Sequence, residues 1–185
     1  MWYTQNKINY YGGSKPGVYT RNTLTETKNA TYGLDVQKDI SLSEKSLLTV
    51  GANAKKEKYE PQIIKGDSAK SSDKKERNQF AVFAQMDQKF TDKDNLIIGG
   101  RGTWTSGSTN GEEYDDFSAS AQYVHKFNED KSVYISVGQS FIMPSFSQMY
   151  PSGVAAGAPN PNLKPQKGTN YELGYKEIAG NHLWK

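Results

Sequence analysis

The 185-residue sequence has no cysteine, so neither a disulfide framework nor a thiolate metal site is open to it. Histidine is nearly as scarce. His125 and His182 lie far apart with no histidine or carboxylate at ligand spacing, which excludes a zinc centre of ordinary type. Long apolar runs are also missing: the longest is the five residues 80–84, against the roughly 20 that a membrane-spanning helix needs. Neither sign of charge dominates. With 23 Lys and Arg against 20 Asp and Glu, the net charge of +3 provides no field for a polyanion, and nucleic acid is not an expected partner. No basic region followed by an apolar stretch opens the sequence, so no signal peptide is expected in it. Leu, Ile, Val and Phe supply only 33 of the 185 residues, a level at which disorder becomes a reading. The 12 Tyr, 7 Phe and 3 Trp are too many for a solvated coil, and the length suits one folded domain.

What is present is β-type patterning. Period-two alternation predicts eight strands, at residues 2–10, 30–42, 46–59, 78–90, 95–106, 115–127, 132–141 and 169–178. Three connections are tight and polar, at 43–45, 91–94 and 128–131, and rich in residues that bond locally through their side chains. The other four, 11–29, 60–77, 107–114 and 142–168, are long and alternate strictly with the tight ones. Short turns at one end and long loops at the other are the pattern of an outer-membrane β-barrel with its short turns in the periplasm. The expected fold class is therefore all-β: an antiparallel up-and-down meander of about eight strands of the transmembrane-barrel kind.

The strand faces sharpen this reading. Phe80, Val82, Ala84 and Met86 share one face, whereas Gln79, Gln85, Asp87 and Lys89 share the other. Tyr32, Leu34, Val36 and Ile40 oppose Asp35, Gln37 and Asp39; Phe117, Ala119, Ala121 and Tyr123 oppose Ser118, Ser120 and Gln122. Phe80 and Phe90 stand ten residues apart on one face, as do Phe117 and Phe127. Ten residues span about 33 Å along a strand and, at a tilt of about 40°, about 25 Å of height, the height of an apolar band between two aromatic girdles. Outer-membrane lipid is the partner expected for that face. Lys38, Glu177 and Gln139 also fall on it, and Gln139 lacks the long stem that lets a charged head reach the interface. The same alternation fits a complete small outer-membrane barrel, a porin-like barrel, or a soluble carbohydrate-binding β-protein.

The segment from residue 141 reads Phe-Ile-Met-Pro-Ser-Phe-Ser-Gln-Met-Tyr, followed from residue 160 by Asn-Pro-Asn-Leu-Lys-Pro-Gln-Lys-Gly-Thr-Asn-Tyr-Glu-Leu-Gly-Tyr-Lys. It resembles the mid-barrel signature of TonB-dependent outer-membrane receptors of the siderophore-receptor type. There an aromatic-basic-small-Pro stretch leads into a loop, then Asn-Pro-Asn-Leu-Lys-Pro-Glu and a strand beginning Tyr-Glu-Leu-Gly. Pro144, Ser145, Gln148, Tyr150, Pro161, Leu163, Pro165, Tyr171, Glu172 and Gly174 match. Ile142 stands where a basic residue is usual and Gln166 where Glu is usual, so an ion pair the family makes there is not expected here.

The resemblance implies a barrel of about 22 strands around a plug, of which residues 1–185 would be a middle section. Neither a plug domain, nor the short box that engages TonB, nor a C-terminal aromatic strand is recognisable in the sequence. It implies location in the bacterial outer membrane, and import of a ferric siderophore or another scarce nutrient such as haem, cobalamin or a glycan. TonB would energise that import through the plug, and no reaction would be catalysed. Taken alone, such a section would expose two sheet edges and an apolar face, and would aggregate in water.

Four residues are candidates for ligand contact. Phe146, Met149 and Tyr150 lie in the loop 142–168, and aromatic side chains are frequent in ligand sites. Arg101 faces the expected lumen, where its guanidinium suits an anionic chelate or an acidic neighbour. The matched Pro144, Ser145, Gln148, Pro161, Leu163, Pro165, Tyr171, Glu172 and Gly174 read as structural, the prolines fixing φ and removing donors as the chain turns back. Glu112, Glu113, Asp115 and Asp116 lack the Asp-x-Asp-x-Asp-Gly order of a Ca²⁺ loop and read as a solvated loop. Residues 65–77 mix both signs of charge and read as a mobile surface loop. The Gly99-Gly100-Arg101-Gly102 run has no following Lys-Ser and lies within a strand, so no phosphate loop is expected. No cofactor, metal or enzymatic activity is expected.

Overall fold

A computed structural model of the protein describes residues 1–12, 23–65, 68–71, 74–107, 114–151, 158–179 and 182–184. One antiparallel sheet contains eight long strands: β1 (Trp2–Gly12), β2 (Thr23–Ser43), β3 (Ser46–Lys65), β5 (Lys75–Lys89), β6 (Asp94–Ser106), β7 (Tyr114–Lys126), β8 (Lys131–Ile142) and β9 (Gln166–Ala179). Two short strands join it. β4 (Ser68–Ser71) pairs with the end of β3, and β10 (His182–Trp184) with the end of β9. Long strands follow one another in sequence order, and among the described residues β1 pairs only with β2 and β10 only with β9. The sheet is open.

Each of the three tight turns is sealed by the side chain of a residue at its start, as an Asx- or Ser/Thr-turn requires. Ser43 Oγ accepts the Lys45 N–H at 3.2 Å. Thr91 Oγ1 accepts those of Lys93 and Asp94 at 3.1 and 3.0 Å, and Asn128 Oδ1 those of Asp130 and Lys131 at 3.0 and 2.8 Å.

Cross-strand register turns the alternation of single strands into two faces of one sheet. Ile40, Leu48, Met86, Ile98, Ala121, Val137 and Tyr171 form one row across β2, β3 and β5–β9. In the adjacent row, on the opposite face, stand Asp39, Thr49, Gln85, Gly99, Ser120, Gly138 and Asn170. The apolar face is exposed: Phe117, Tyr171 and Leu173 are 69%, 80% and 76% accessible among the described residues. The buried Tyr59, Phe146 and Met149 lie on the polar face at the long-loop end, and Ala81 is buried on the same face nearer the girdle. A sheet with its apolar side outward and its small core on the polar side is a lipid-facing wall.

Three differences from the sequence reading bear on the wall and its mouth. β2 begins at residue 23 instead of 30 and β3 runs to 65 instead of 59, while the interior of the first long connection, 13–22, lies outside the described residues. Beyond the apolar band the apolar residues of these strands no longer alternate with polar ones, so hydropathy loses its period although the ladder continues. The 65–77 segment contains β4 and the start of β5, and Arg77 is buried rather than part of a surface loop. The third difference is a wedge. β7 and β8 pair only from Lys126↔Ser132 to Ser120↔Gly138, although β7 stays on β6 up to Tyr114 and β8 on β9 up to Ile142. Gln139 closes its apex, accepting the Ala119 N–H at 3.0 Å, and the Lys167 ammonium reaches Asp116 at 2.6 Å. This accounts for a glutamine on the lipid face. Glu177, the second polar residue there, takes Lys131 at 2.9 Å.

Candidate functional site

The signature segment folds back over the polar face at the extracellular mouth. Residues 143–145 leave β8 and enter a one-turn helix α1 (Phe146–Met149), which Ser145 caps: its hydroxyl accepts the Gln148 N–H while Gln148 Oε1 accepts the Ser145 N–H at 2.8 Å. That reciprocal pair is a capping box, written in the sequence as Ser-Phe-Ser-Gln. Past residues 152–157, which lie outside the described residues, the Asn160 N–H returns to the Met149 carbonyl at 2.8 Å and closes the neck of the loop. Asn160 Oδ1 then accepts the Asn162 N–H at 3.2 Å, an Asx-turn that Pro161 favours with its fixed φ.

What holds this loop to the wall comes from β3 and β5. Arg77 is 5% exposed and donates from Nη1 to the Pro144 carbonyl at 2.7 Å and from Nε to Glu57 at 2.7 Å. Its guanidinium lies over the Phe146 ring at 4.9 Å, and the same ring stacks on Tyr59 at 5.7 Å. The Tyr59 hydroxyl donates to the Tyr150 carbonyl at 3.0 Å. Burial works against the Glu57 carboxylate, but the charges of Arg77 and Lys55 outweigh it and hold the group below the usual carboxylate range. A planar fork serving a carboxylate, a carbonyl and an aromatic face at once is a task for arginine, not lysine.

The candidate residues of the sequence therefore separate. Phe146 and Met149 are buried in the packing beneath the loop. Tyr150 is half-buried, with Lys75 Nζ 4.9 Å from its ring centre and its hydroxyl enclosed without a hydrogen-bond partner among the described residues. Arg101 stands elsewhere, opposite Phe83, which is six residues and thus about 20 Å along β5 from Arg77. It packs at 5.9 Å over the Phe83 ring, makes no ion pair among the described residues, and lines a 300 Å³ hollow with Gln85, Ser118, Ser120 and Gln139. Glu112 and Glu113 lie outside the described residues, and Asp116 is engaged by Lys167. Of the structural motif residues, Tyr171 faces lipid, while Glu172 accepts the Tyr134 hydroxyl across Gly174. Sequence reading missed Glu57, Tyr59 and Arg77. Their only signal was that alternation, followed in polar residues, continues from Lys55 to Tyr59 and from Arg77 to Gln79 on one face.

A sheet with an outward apolar band, aromatic girdles, periplasmic hairpins and a loop docked at the extracellular mouth defines an outer-membrane β-barrel wall. The chain belongs to the TonB-dependent receptor-like β-barrel family, whose model matches residues 2–185. Its solved neighbours include the copper transporter OprC, which superposes with a TM-score of 0.75 at 14% identity over 96% of this chain and 33% of that one. The ferric enterobactin receptor PfeA of Pseudomonas aeruginosa matches with a TM-score of 0.66 at 18% identity, over 98% and 30% of the two chains. The siderophore receptor PirA of Acinetobacter baumannii gives 0.61 at 19%, over 96% and 29%. At these identities the likeness is one of fold, and the chain spans about a third of the length of these relatives. No curated protein matches it in sequence. The protein is one of the bacterial outer membrane.

Proposed function

We propose that residues 1–185 are a barrel section of a receptor that imports a scarce nutrient, foremost a ferric chelate, through a plugged lumen energised by TonB. The observation that carries this reading is the signature loop itself, held against the lumen face by Arg77 where an arriving ligand would first meet the wall. One neighbour is named a ferric enterobactin receptor, one a siderophore receptor and one a copper transporter, which supports metal cargo as the class. In this reading the section belongs to a barrel of about 22 strands, too wide for side chains to fill and so occupied by a plug. Phe146 and Met149 fix the loop. Arg101 and Tyr150 contact the ligand, Arg101 because its guanidinium is already oriented by Phe83 and free to take an anionic chelate.

The test uses the intact receptor in a strain dependent on it, with a panel of siderophores, haem and cobalamin. Energised uptake of one chelate is expected. Arg101→Ala is expected to weaken its binding about tenfold to a hundredfold, the worth of one hydrogen bond to a charged group, and Tyr150→Ala to weaken it too, with barrel assembly unchanged. Ion-selective passive conductance without energised uptake would mark a porin and overturn the reading.

A further inference from the structure

Among the seams between long strands, the one between β7 and β8 is the shortest. Its ladder covers seven residues of each strand, whereas those on either side, β6 with β7 and β8 with β9, cover twelve. Sequence does not forbid the missing part, since neither 114–119 nor 139–142 contains proline. Continued in the same register, the ladder would set Ala119 against Gln139, Ser118 against Ser140 and Phe117 against Phe141. Instead the Phe117 and Phe141 N–H groups, which by alternation face the gap as the Ala119 N–H does, have no bond partner among the described residues. Unpaired backbone beside a waiting partner strand is a cost that another contact must offset.

That contact is at the upper end of β8. Pro144 stands two residues beyond the strand, a reach of about 7 Å, and its carbonyl meets Arg77 of β5 at 2.7 Å. β5 and β8 are three strand spacings apart, about 14 Å. Because the Arg77 side chain points off the sheet and not along it, the clamp draws the top of β8 across the lumen, toward β5 and away from β7. Gly138, the last paired residue of β8, supplies the backbone freedom for that bend. Gln139 and Lys167 then patch the gap, one on the Ala119 N–H at 3.0 Å and the other on Asp116 at 2.6 Å.

We propose that the mouth clamp and the β7–β8 seam form one two-state switch: with the loop docked on Arg77 the seam stands open, and with the loop released β8 swings back and zips to β7 up to Phe117 and Phe141. Docking supplies the Arg77 to Pro144 and Tyr59 to Tyr150 bonds and the packing of Phe146 on Tyr59. Zipping supplies backbone bonds to the two unpaired N–H groups. A few hydrogen bonds stand on each side, so the two states lie within reach of one ligand's differential affinity. The switch is a property of the wall and holds whichever cargo the receptor takes. On the reading proposed above, a ligand that displaces the loop from Arg77 zips the seam, and by linkage a zipped seam favours that ligand.

Two measurements on the intact receptor in nanodiscs, without ligand, test the coupling from both ends. In Arg77→Met the loop is released, and hydrogen exchange at Phe117 and Phe141 is expected to slow about tenfold while exchange in residues 143–151 quickens. The second uses Ser118→Cys with Ser140→Cys, in a sequence that has no cysteine of its own. Opposite each other in the zipped register, at about 4.5 Å between Cα atoms, the two satisfy disulfide geometry there. Oxidation should lock the seam and expose residues 143–151 to protease although Arg77 is intact, and reduction should restore protection. Adding Arg77→Met should speed disulfide formation about tenfold, since the zipped state then has no rival. Exchange at Phe117 and Phe141 that is unchanged or faster in Arg77→Met would overturn the proposal. So would a cysteine pair that forms no disulfide in either background, or one that forms it with the loop still protected.

Discussion

The Arg77 Nη1 to Pro144 carbonyl bond, 2.7 Å long, joins the inner face of β5 to the first residues of a loop 67 positions later in the chain. It is the strut of the extracellular mouth, because the same side chain also pairs with Glu57 and covers Phe146. Arg77→Met is expected to cost about 2–3 kcal/mol, mostly from the Pro144 carbonyl left without a donor and from the half-buried Glu57 carboxylate, which keeps only its Lys55 partner at 3.0 Å. Since the ladders of the wall are untouched, the barrel should still assemble. Limited proteolysis should cut within residues 143–151 or 158–165 in the variant and spare those residues in the wild type.

The same pair makes the mouth sensitive to acid. Arg77 and Lys55 depress the Glu57 pKa in the folded state, so its contribution is complete above the unfolded glutamate value near about pH 4.3 and is lost as pH falls through the lower folded value. Protease protection of the loop should therefore be flat from about pH 8 to about pH 5 and decline below about pH 4. In Glu57→Gln that decline should be absent, with protection lowered throughout.

Gly174 lets the Tyr134 ring lie flat across β9: a Cβ there would sit 2.2 Å from the ring. Gly174→Ala must push the ring aside and break its bond to Glu172, at about 1–3 kcal/mol. Combining it with Tyr134→Ala should recover part of that loss, a coupling seen as a double-mutant cycle in urea unfolding from lipid.

Gln139→Leu makes the lipid face more apolar and is nonetheless expected to destabilise the wall by about 1–3 kcal/mol. The Ala119 N–H would lose its acceptor at the apex of the wedge. Hydrogen exchange at Ala119 should accelerate in the variant, while Gln139→Glu, which keeps an acceptor, should leave that amide protected.

Inside the membrane the strands were legible because one solvent lies on each side. Phe80, Val82 and Ala84 must meet lipid and Gln79 and Gln85 must not, so period two is written in hydropathy, and the turns at Ser43, Thr91 and Asn128 announce themselves by side chains that bond their own backbone. Above the membrane the outward face is wet and the inward face is covered by a loop instead of lined by lipid or water alone. There Thr27 and Arg77 stay in register without any hydropathic period, and their stretches of β2 and β5 were read as loops, while β3 was read to stop at Tyr59.

The order of residues along the chain thus determined the fold class, the direction of the hairpins, the apolar band and the local caps at Ser145 and Asn160, all of which depend on neighbours within a few positions. Tertiary structure alone decided that Arg77, Glu57 and Tyr59 receive the signature loop, that Phe146 and Met149 turn inward while Arg101 stands apart, and that Gln139 caps a broken ladder. Those contacts join residues tens of positions apart, and only the register of the strands between them sets which side chains meet.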